Sequence, residues 1–542
     1  MASLSLWLLV IFATCVIGQE TSAQNATTFA LIYGIPLLAY ERFASTLVHT
    51  RGANQFNHNR VFQTAANRTV VKPNVDTLFS TLILDLSQSD VVVTMPAVDP
   101  SHFYLFSFYD PYGNNVANLG SSNFHKSGQY RVRMLPNTTA QYGLETSNSE
   151  PYAGYINLPS TFGTLLIRWG IATASDFEAV YGYQAMTKAE NVTRTASDSD
   201  SIPTLHQILA NVSAPAGSPQ RILQLLATLG HYAPPEIRSD TERVNTMLSA
   251  AGVSNSSYTT QSNVNLTLAF QAATLTMYTD YTMPGVAEPL NNGWSRTASR
   301  YSGDYGTNYS IRAAIADYGY LMLKAPNALY PIWDNTSDPE GGLSQQQTLG
   351  SNEAYMYTFV GGQPPIIKPG FWSMTVYDAE GFLVPNSRNV YAIGDRNNIT
   401  YSDGKLVYGG DNAIDNTGEG SFQILVQPAD VPPPANWTSN WIPGPAGGGQ
   451  LTALLRFYGA GEDLMNGVYQ YPVITKQAAI AESQTPPQSS GTASPTSSET
   501  TPATSAAAGN GSPSVNIGKT ATYAVTITVS LAGALLLFGW GG

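Results

Sequence analysis

The sequence predicts a mainly β protein with a helical module: an N-terminal helix and β-sandwich, a central helical region, and a C-terminal jelly-roll-like β-sandwich. Three observations carry this. From Val70 to Asn157, and again past Gly293, short β-branched and aromatic runs alternate with turn residues at close intervals. From Ala174 to Met283 the apolar residues fall at helical spacing instead. One pattern also recurs in both β regions: Phe103-Tyr104, Tyr109-Asp110, Gly113 and Asn118 are matched at identical offsets by Phe371-Trp372, Tyr377-Asp378, Gly381 and Asn386.

Residues 1–18 read as a secretory signal peptide, with the apolar run Leu6-Trp-Leu-Leu-Val-Ile-Phe12 and a cut expected after Gly18. The only cysteine, Cys15, leaves with it. Residues 25–165 form the first unit. Phe29 to Thr50 carries Leu31, Ile35, Leu38 and Phe43 near one helical face, although Gly34-Ile35-Pro36 should break or kink its start. Thr81–Asp85, Val91–Thr94 and Phe103–Tyr109 read as strands. Residues 170–290 form the helical module, through Phe177–Met186, Arg221–Ala227 and Thr267–Thr276. Residues 291–475 return to strands at Phe371–Tyr377, Leu406–Tyr408, Ser421–Val426 and Leu451–Tyr458.

The two copies of the repeat each describe a strand ending in Tyr-Asp and a turn. The aspartate can bond backbone amides, and the glycine supplies a positive φ. A hairpin alone explains the Asp and the Gly but not the matching aromatic pair and Asn, so common ancestry and convergent sandwich design both stand. Beyond the folded body, residues 484–514 are a Ser/Thr/Pro-rich stalk without aromatics, which cannot bury enough apolar area to order itself. Residues 521–540 are an apolar tail behind Asn510-Gly511-Ser512, the pattern of a glycolipid-anchor signal. The expected address is the cell surface, with the membrane reached through a lipid.

N-x-S/T sequons support that address, among them Asn25, Asn67, Asn137, Asn191, Asn211, Asn255, Asn265, Asn308, Asn335, Asn398 and Asn436. With no cysteine in the mature chain, a body of roughly 450 residues must be stabilised by packing. A net charge of −12 and few Lys and Arg argue against a nucleic-acid partner, which needs a basic stripe. The low charged fraction and abundant Tyr, Asn, Gly and Pro suit a small polar molecule or a glycan. The sequence leaves room for a homo-oligomer.

Several strings resemble a bacterial and fungal family that pairs domain of unknown function 1254 with domain of unknown function 1214. In the first domain these are Val70-Val-Lys-Pro-Asn-Val-Asp-Thr-Leu-Phe-Ser80 and Leu84-Asp-Leu86. In the second they are Gly370-Phe-Trp-Ser-Met-Thr-Val-Tyr-Asp378 with Asn386 and Tyr391, Asn440-Trp-Ile-Pro443, and Leu455-Arg-Phe-Tyr458. The resemblance spans Phe29 to Pro472 with gaps. It implies the same β-sandwich, helical module and jelly-roll-like domain, for a secreted fungal-type member, and it implies no reaction. In one place the chain departs from the pattern: Asn308, a sequon, stands where an acidic residue is expected before Tyr309 and Arg312. A glycan there would require an exposed motif rather than a buried site.

The chemistry left open is narrow. There is no thiol nucleophile or thiolate metal site, no G-x-S-x-G elbow, and no histidine between Gly293 and Pro472 to make a cupin-like metal centre. His58 oriented by Asp76 would be a general base, with Asp110 a second carboxylate, in the hydrolase or lyase form of the idea. The structural alternative has His58 capping a turn and Asp76 binding amides, with Asn74 beside it. Asp110, Asn114 and Asn115 form an oxygen-rich turn that could take Ca²⁺ or sugar hydroxyls; no other cofactor is evident. Trp372, Tyr377 and Trp441 suggest an aromatic platform for a sugar ring. Trp372 and Tyr377 are an odd number apart, so in a strand only one of them can line it, and the favoured reading of Trp372 is a core residue. Arg312 and Arg456 lie in apolar motifs and need partners, either Asp378 or Asp395 in a domain lock or an anionic ligand.

Overall fold

The computed structural model describes residues 22–481 except 69–71, 122–124, 136–140, 148, 195–201, 255, 334–345 and 409–419. The signal peptide, stalk and apolar tail therefore lie outside the described residues, as do Asn137, Asn255 and Asn335. No helix among the described residues is long and apolar enough to cross a membrane.

The chain starts with a long helix, α1 (Ser22–Arg51). It runs through Pro36, where the sequence suggested a break, and starts seven residues before Phe29. Packing explains the continuity. Gly34 lies so close to the next helices that an added Cβ would come within 2.9 Å of Ile222. Tyr33, Leu37 and Tyr40 are fully buried, so tertiary contacts outweigh the bond lost at proline.

Strands β1 (Asn57–His58), β2 (Thr77–Asp85), β3 (Asp90–Met95), β4 (Tyr104–Tyr109), β5 (Asn115–Gly120), β6 (Gly128–Met134), β7 (Gly143–Glu145), β8 (Gly154–Leu158) and β9 (Phe162–Gly170) follow. Then come α2 (Asp176–Met186) and β10 (Lys188–Val192). They make two five-stranded sheets, β1-β2-β9-β4-β5 and β10-β3-β6-β8-β7. Leu82, Phe106, Phe108, Ile167 and Trp169 from one meet Val91, Val93, Val132 and Ile156 from the other in a single core, a β-sandwich. Strand β10 belongs to it, although it falls in the stretch read as helical.

The helical module comprises α3 (Leu205–Ala210), α4 (Pro219–Leu229), α5 (Thr241–Ala250) and α6 (Leu266–Tyr281), with α7 (Tyr309–Gly319) beyond. Their shared core includes Leu31, Tyr33, Leu37 and Tyr40 of α1, which therefore packs with these helices and not as part of the first sandwich. Proline at N1 and a Ser218 cap start α4; Asn265, a sequon residue, caps α6 through Leu268 N–H at 3.0 Å.

The second sandwich is built from β11 (Trp294–Thr297), β12 (Ile332–Trp333), β13 (Gln347–Leu349), β14 (Glu353–Phe359), β15 (Ile366–Asp378), β16 (Ala392–Gly394), β17 (Phe422–Pro428), β18 (Trp441–Gly444), β19 (Gly449–Ala460) and β20 (Val473–Ala478). Its larger sheet centres on the antiparallel pair β15 and β19; the facing sheet runs β18-β17-β14-β20. Leu406–Tyr408, read as a strand, contributes only one bridge, Thr400 to Leu406. Three apolar-looking residues between turns are too few to sustain a ladder.

Strict alternation assigns the two faces of each central strand. In β4 and β9, Phe106, Phe108, Leu165, Ile167 and Trp169 enter the first core, and Leu105, Tyr109 and Leu166 turn to the opposite face. In β15 and β19, Trp372, Met374, Val376, Leu455 and Phe457 enter the second core, and Phe371 and Tyr458 turn away. These outward faces meet in a separate apolar cluster of Phe103, Leu105, Tyr109, Leu166, Phe371 and Tyr458. That cluster is the seam between the two sandwiches.

Candidate functional site

The repeat seen in the sequence is a structural repeat. Asp110 accepts N–H bonds from Tyr112 and Asn114, both at 2.9 Å; Asp378 accepts from Glu380 and Phe382, at 3.2 and 2.8 Å. Gly113 and Gly381 sit at φ 85° and 82°, the left-handed conformation the turn demands. Arg168 stands opposite Leu105, and Arg456 opposite Ser373, which is the same position in the two copies. Each arginine donates to an equivalent hydroxyl, Arg168 to Ser107 at 3.5 Å and Arg456 to Thr375 at 3.0 Å.

The C-terminal strands grip the segment Lys72–Asp76. Arg456 donates to the Lys72 carbonyl at 3.1 Å and to the Tyr377 hydroxyl at 2.7 Å, and Tyr377 donates to the Pro73 carbonyl at 2.9 Å. Asn74 caps the start of β2 through Asp76 and Thr77 N–H and donates to the Tyr458 hydroxyl at 2.8 Å. Asp76, buried, accepts from Ser373 at 2.6 Å and pairs with Arg396. Arg396 also donates to the Asp76 and Ile171 carbonyls and lies over Phe371, 4.0 Å from the ring centroid. Asp76 is thus the centre of an inter-sandwich lock.

Beside this lock a cavity of about 470 Å³ opens at the seam. The two copies of the repeat line it with equivalent stretches, Pro100–Phe103 and Lys368–Phe371. Gly170, Ile171, Thr173, Asp176 and Arg396 complete the walls. Gly170 donates to Phe103 O at 2.8 Å, and Tyr458 is paired with Phe371 in register, so glycine and tyrosine hold equivalent places. The Tyr458 ring fills its side, 4.7 Å from Phe371 and 5.4 Å from Phe103; the Gly170 side stays open.

Polar groups converge on the open side. His102 Nε2 is 3.6 Å from Asp176 Oδ1. Asp176 is fixed by Ala172 and Thr173 N–H at 2.7 and 2.8 Å and by the Thr173 hydroxyl at 3.0 Å. Lys368 bonds Asp395 at 2.7 Å. Two family models match this chain: Protein of unknown function (DUF1254) over residues 53–191, and Protein of unknown function (DUF1214) over residues 343–462. The two matched regions follow one another in the order DUF1254, then DUF1214. The cavity lies where these two regions meet, with His102 and Asp176 from the DUF1254 side and Lys368 and Arg396 from the DUF1214 side.

The fold is shared with the crystal structure of the VPA0106 protein from Vibrio parahaemolyticus. The two are 17% identical with a TM-score of 0.54, and the match covers 84% of this chain and 99% of that one. An uncharacterised protein from Burkholderia cenocepacia matches at 11% identity and a TM-score of 0.37, covering 83% and 88% of the two chains. A comparison with curated proteins finds no match.

The residues singled out from the sequence lie elsewhere in the folded body. His58 bonds Ser80 at 2.7 Å, and its ring stacks on Phe56. Ser80 is four residues along β2 from Asp76, about 13 Å in a strand, so the expected His58–Asp76 pair does not form. Both Asp110 oxygens already accept N–H groups, the second from Asn114 Nδ2 at 2.7 Å. Burial raises its pKa against those bonds and the nearby Arg312 charge. Asn115 bonds the Phe108 carbonyl and Asn118. Among the described residues no group of three or more acidic, His or Cys side chains could hold a metal.

No aromatic platform forms, because Trp372, Tyr377 and Trp441 are all buried and the two tryptophans belong to different clusters. Arg456 pairs with hydroxyls and a carbonyl instead of Asp378 or Asp395, whose cations are Arg68 and Lys368. Arg312 is caged by the rings of Tyr33, Tyr112 and Tyr309 at 4.7, 4.2 and 4.7 Å and donates to the Tyr33 carbonyl. It is buried one helical turn from Asn308, which is exposed. An exposed sequon and a buried arginine therefore coexist, contrary to the expectation that one excludes the other.

Proposed function

We propose that the protein is a glycosylated cell-surface protein, carried by the secretory route and held by a glycolipid anchor, that binds a polar extracellular ligand, a glycan unit, at the seam cavity. The observation that carries the binding role is the cavity. Its volume of about 470 Å³ falls in the range of small-molecule sites, and its floor of Phe103 and Phe371 is flanked by a few convergent polar groups. The address is supported by the sequons. Asn25, Asn67, Asn191, Asn211, Asn265, Asn308, Asn398 and Asn436, all those among the described residues, are exposed. Asn54, Asn114, Asn115, Asn157, Asn327 and Asn440, outside any sequon, are buried.

Binding is favoured over hydrolysis or elimination by Asp76, because that carboxylate already serves Ser373 and Arg396. The second reading, a non-enzymatic structural or interaction protein of the surface, draws on the same lock, since the family motifs hold the sandwiches together. A glycan array probed with the secreted ectodomain, followed by calorimetry on the best hit, separates the two. Ala172 is exposed at the cavity wall, and Ala172→Trp should abolish the binding without unfolding the protein. No binding across the array, or binding indifferent to Ala172→Trp, would leave the structural reading in place. Loss of mass on endoglycosidase treatment of protein from the native source checks the address.

A further inference from the structure

We infer that the seam cavity selects a uronate, a sugar ring bearing one carboxylate; this rests on the glycan-binding reading above and names the ligand within it. The argument is the polarity of the two walls. The wall from the C-terminal sandwich presents two cations, and their counter-charges stand behind them. The side chain of Lys368 is 62% exposed, and that of its partner Asp395 is 1% exposed. Arg396 lines the cavity, and its partner Asp76 is buried outside the lining. A ligand meets the exposed end of Lys368, while Arg396, whose N–H groups are held by Asp76 and the Asp76 and Ile171 carbonyls, adds positive charge to the wall.

The opposite wall presents acceptors. Asp176 is held in place by two backbone N–H groups and a threonine hydroxyl, and it stands beside His102. A hydroxyl can add one more donor to this carboxylate. A ligand that satisfies both walls is anionic at one end and hydroxylated at the other. The Lys368 ammonium has three donors, of which Asp395 and the Gly370 carbonyl take two, so one remains for a single ligand carboxylate. The volume accommodates one or two sugar residues.

The test is calorimetric titration of the ectodomain with sodium galacturonate, digalacturonate and, as a neutral match, galactose, in 50 and 500 mM NaCl. Galacturonate is expected to bind at least tenfold more tightly than galactose and to weaken with salt, while galactose does not. Tighter binding of digalacturonate than of the monomer would place the natural source in a wall polymer rather than a free acid. Lys368→Met should bring galacturonate to the level of galactose. The paired variant Lys368→Met/Asp395→Asn, which removes the ammonium together with the carboxylate behind it, should do the same and guards against a folding defect. Equal binding of the two sugars, or galacturonate binding unmoved in both variants, overturns the uronate assignment and leaves the glycan reading standing. If only other, neutral glycans bind in an Ala172→Trp-sensitive way, the assignment alone fails; if nothing binds, both fail.

Discussion

Phe103 and Phe371 occupy the same position in two copies of one motif, and their rings meet edge to face across the seam, 5.2 Å between centroids. Each is almost fully buried, and each also touches Tyr458. The two sandwiches thus meet through like surfaces, and the contacts can be tested one copy against the other.

Truncating either ring removes a large buried surface and leaves a void. Phe103→Ala and Phe371→Ala should each lower stability by about 3–5 kcal/mol. Because the rings touch, the double variant should fall short of the sum. Urea denaturation of the three variants measures both numbers.

Asp76 ties the two sandwiches together through Ser373 and Arg396, which gives it a stability signature. Asp76→Ala leaves a buried void and strands the partly buried Arg396 guanidinium, and should cost about 3–5 kcal/mol. Asp76→Ala/Arg396→Met should recover much of that loss. If the double variant were no more stable than Asp76→Ala, the pair would not be the reason Asp76 matters.

The two turn aspartates make the same backbone bonds in different surroundings. Asp110 is buried and takes a third donor from Asn114, whereas Asp378 faces the exposed Arg68. Asp110→Ala should therefore cost about 2–4 kcal/mol and Asp378→Ala only about 1 kcal/mol. Thermal melts of the pair would show the difference directly.

Glu236 has a buried oxygen without a hydrogen-bond partner among the described residues. Burial first, then the charges of Asp110 and Asp304, push its pKa up to about 7, with Lys324 and Arg312 opposing. A carboxyl whose pKa is raised by folding binds its proton more tightly in the native state. Stability should then fall as pH rises from about 4.5 to about 7 and level off above, by on the order of 1–3 kcal/mol from this group. Glu236→Gln should flatten that slope in urea midpoints taken from pH 4.5 to 8.

Much of the fold could be read from the chain because its signals are local. The aromatic and β-branched runs Phe103–Tyr109 and Phe371–Tyr377, bounded by turn residues, assigned strands, and the repeated Tyr-Asp-x-x-Gly assigned two equivalent turns. Pro36 misled because the forces that keep α1 whole come from Ile222 and other residues far along the chain. The site was less legible for the same reason. Arg396 reaches Asp76 across 320 residues, and nothing near His102 or Asp176 signals that they face each other. One clue was present: aligning the two repeats extends upstream to set Pro100–His102 against Lys368–Gly370, the two stretches that line the cavity.

The exchange of glycine for tyrosine at matched places, Gly170 and Tyr458, breaks the internal two-fold relation where it matters for access. Two glycines would give each chain a pair of like openings, and two tyrosines would close both. With one of each, the chain is monovalent at this seam. Under the proposed binding role, avidity toward a polymeric ligand would come from the density of neighbouring copies, because the described residues offer one opening at this seam.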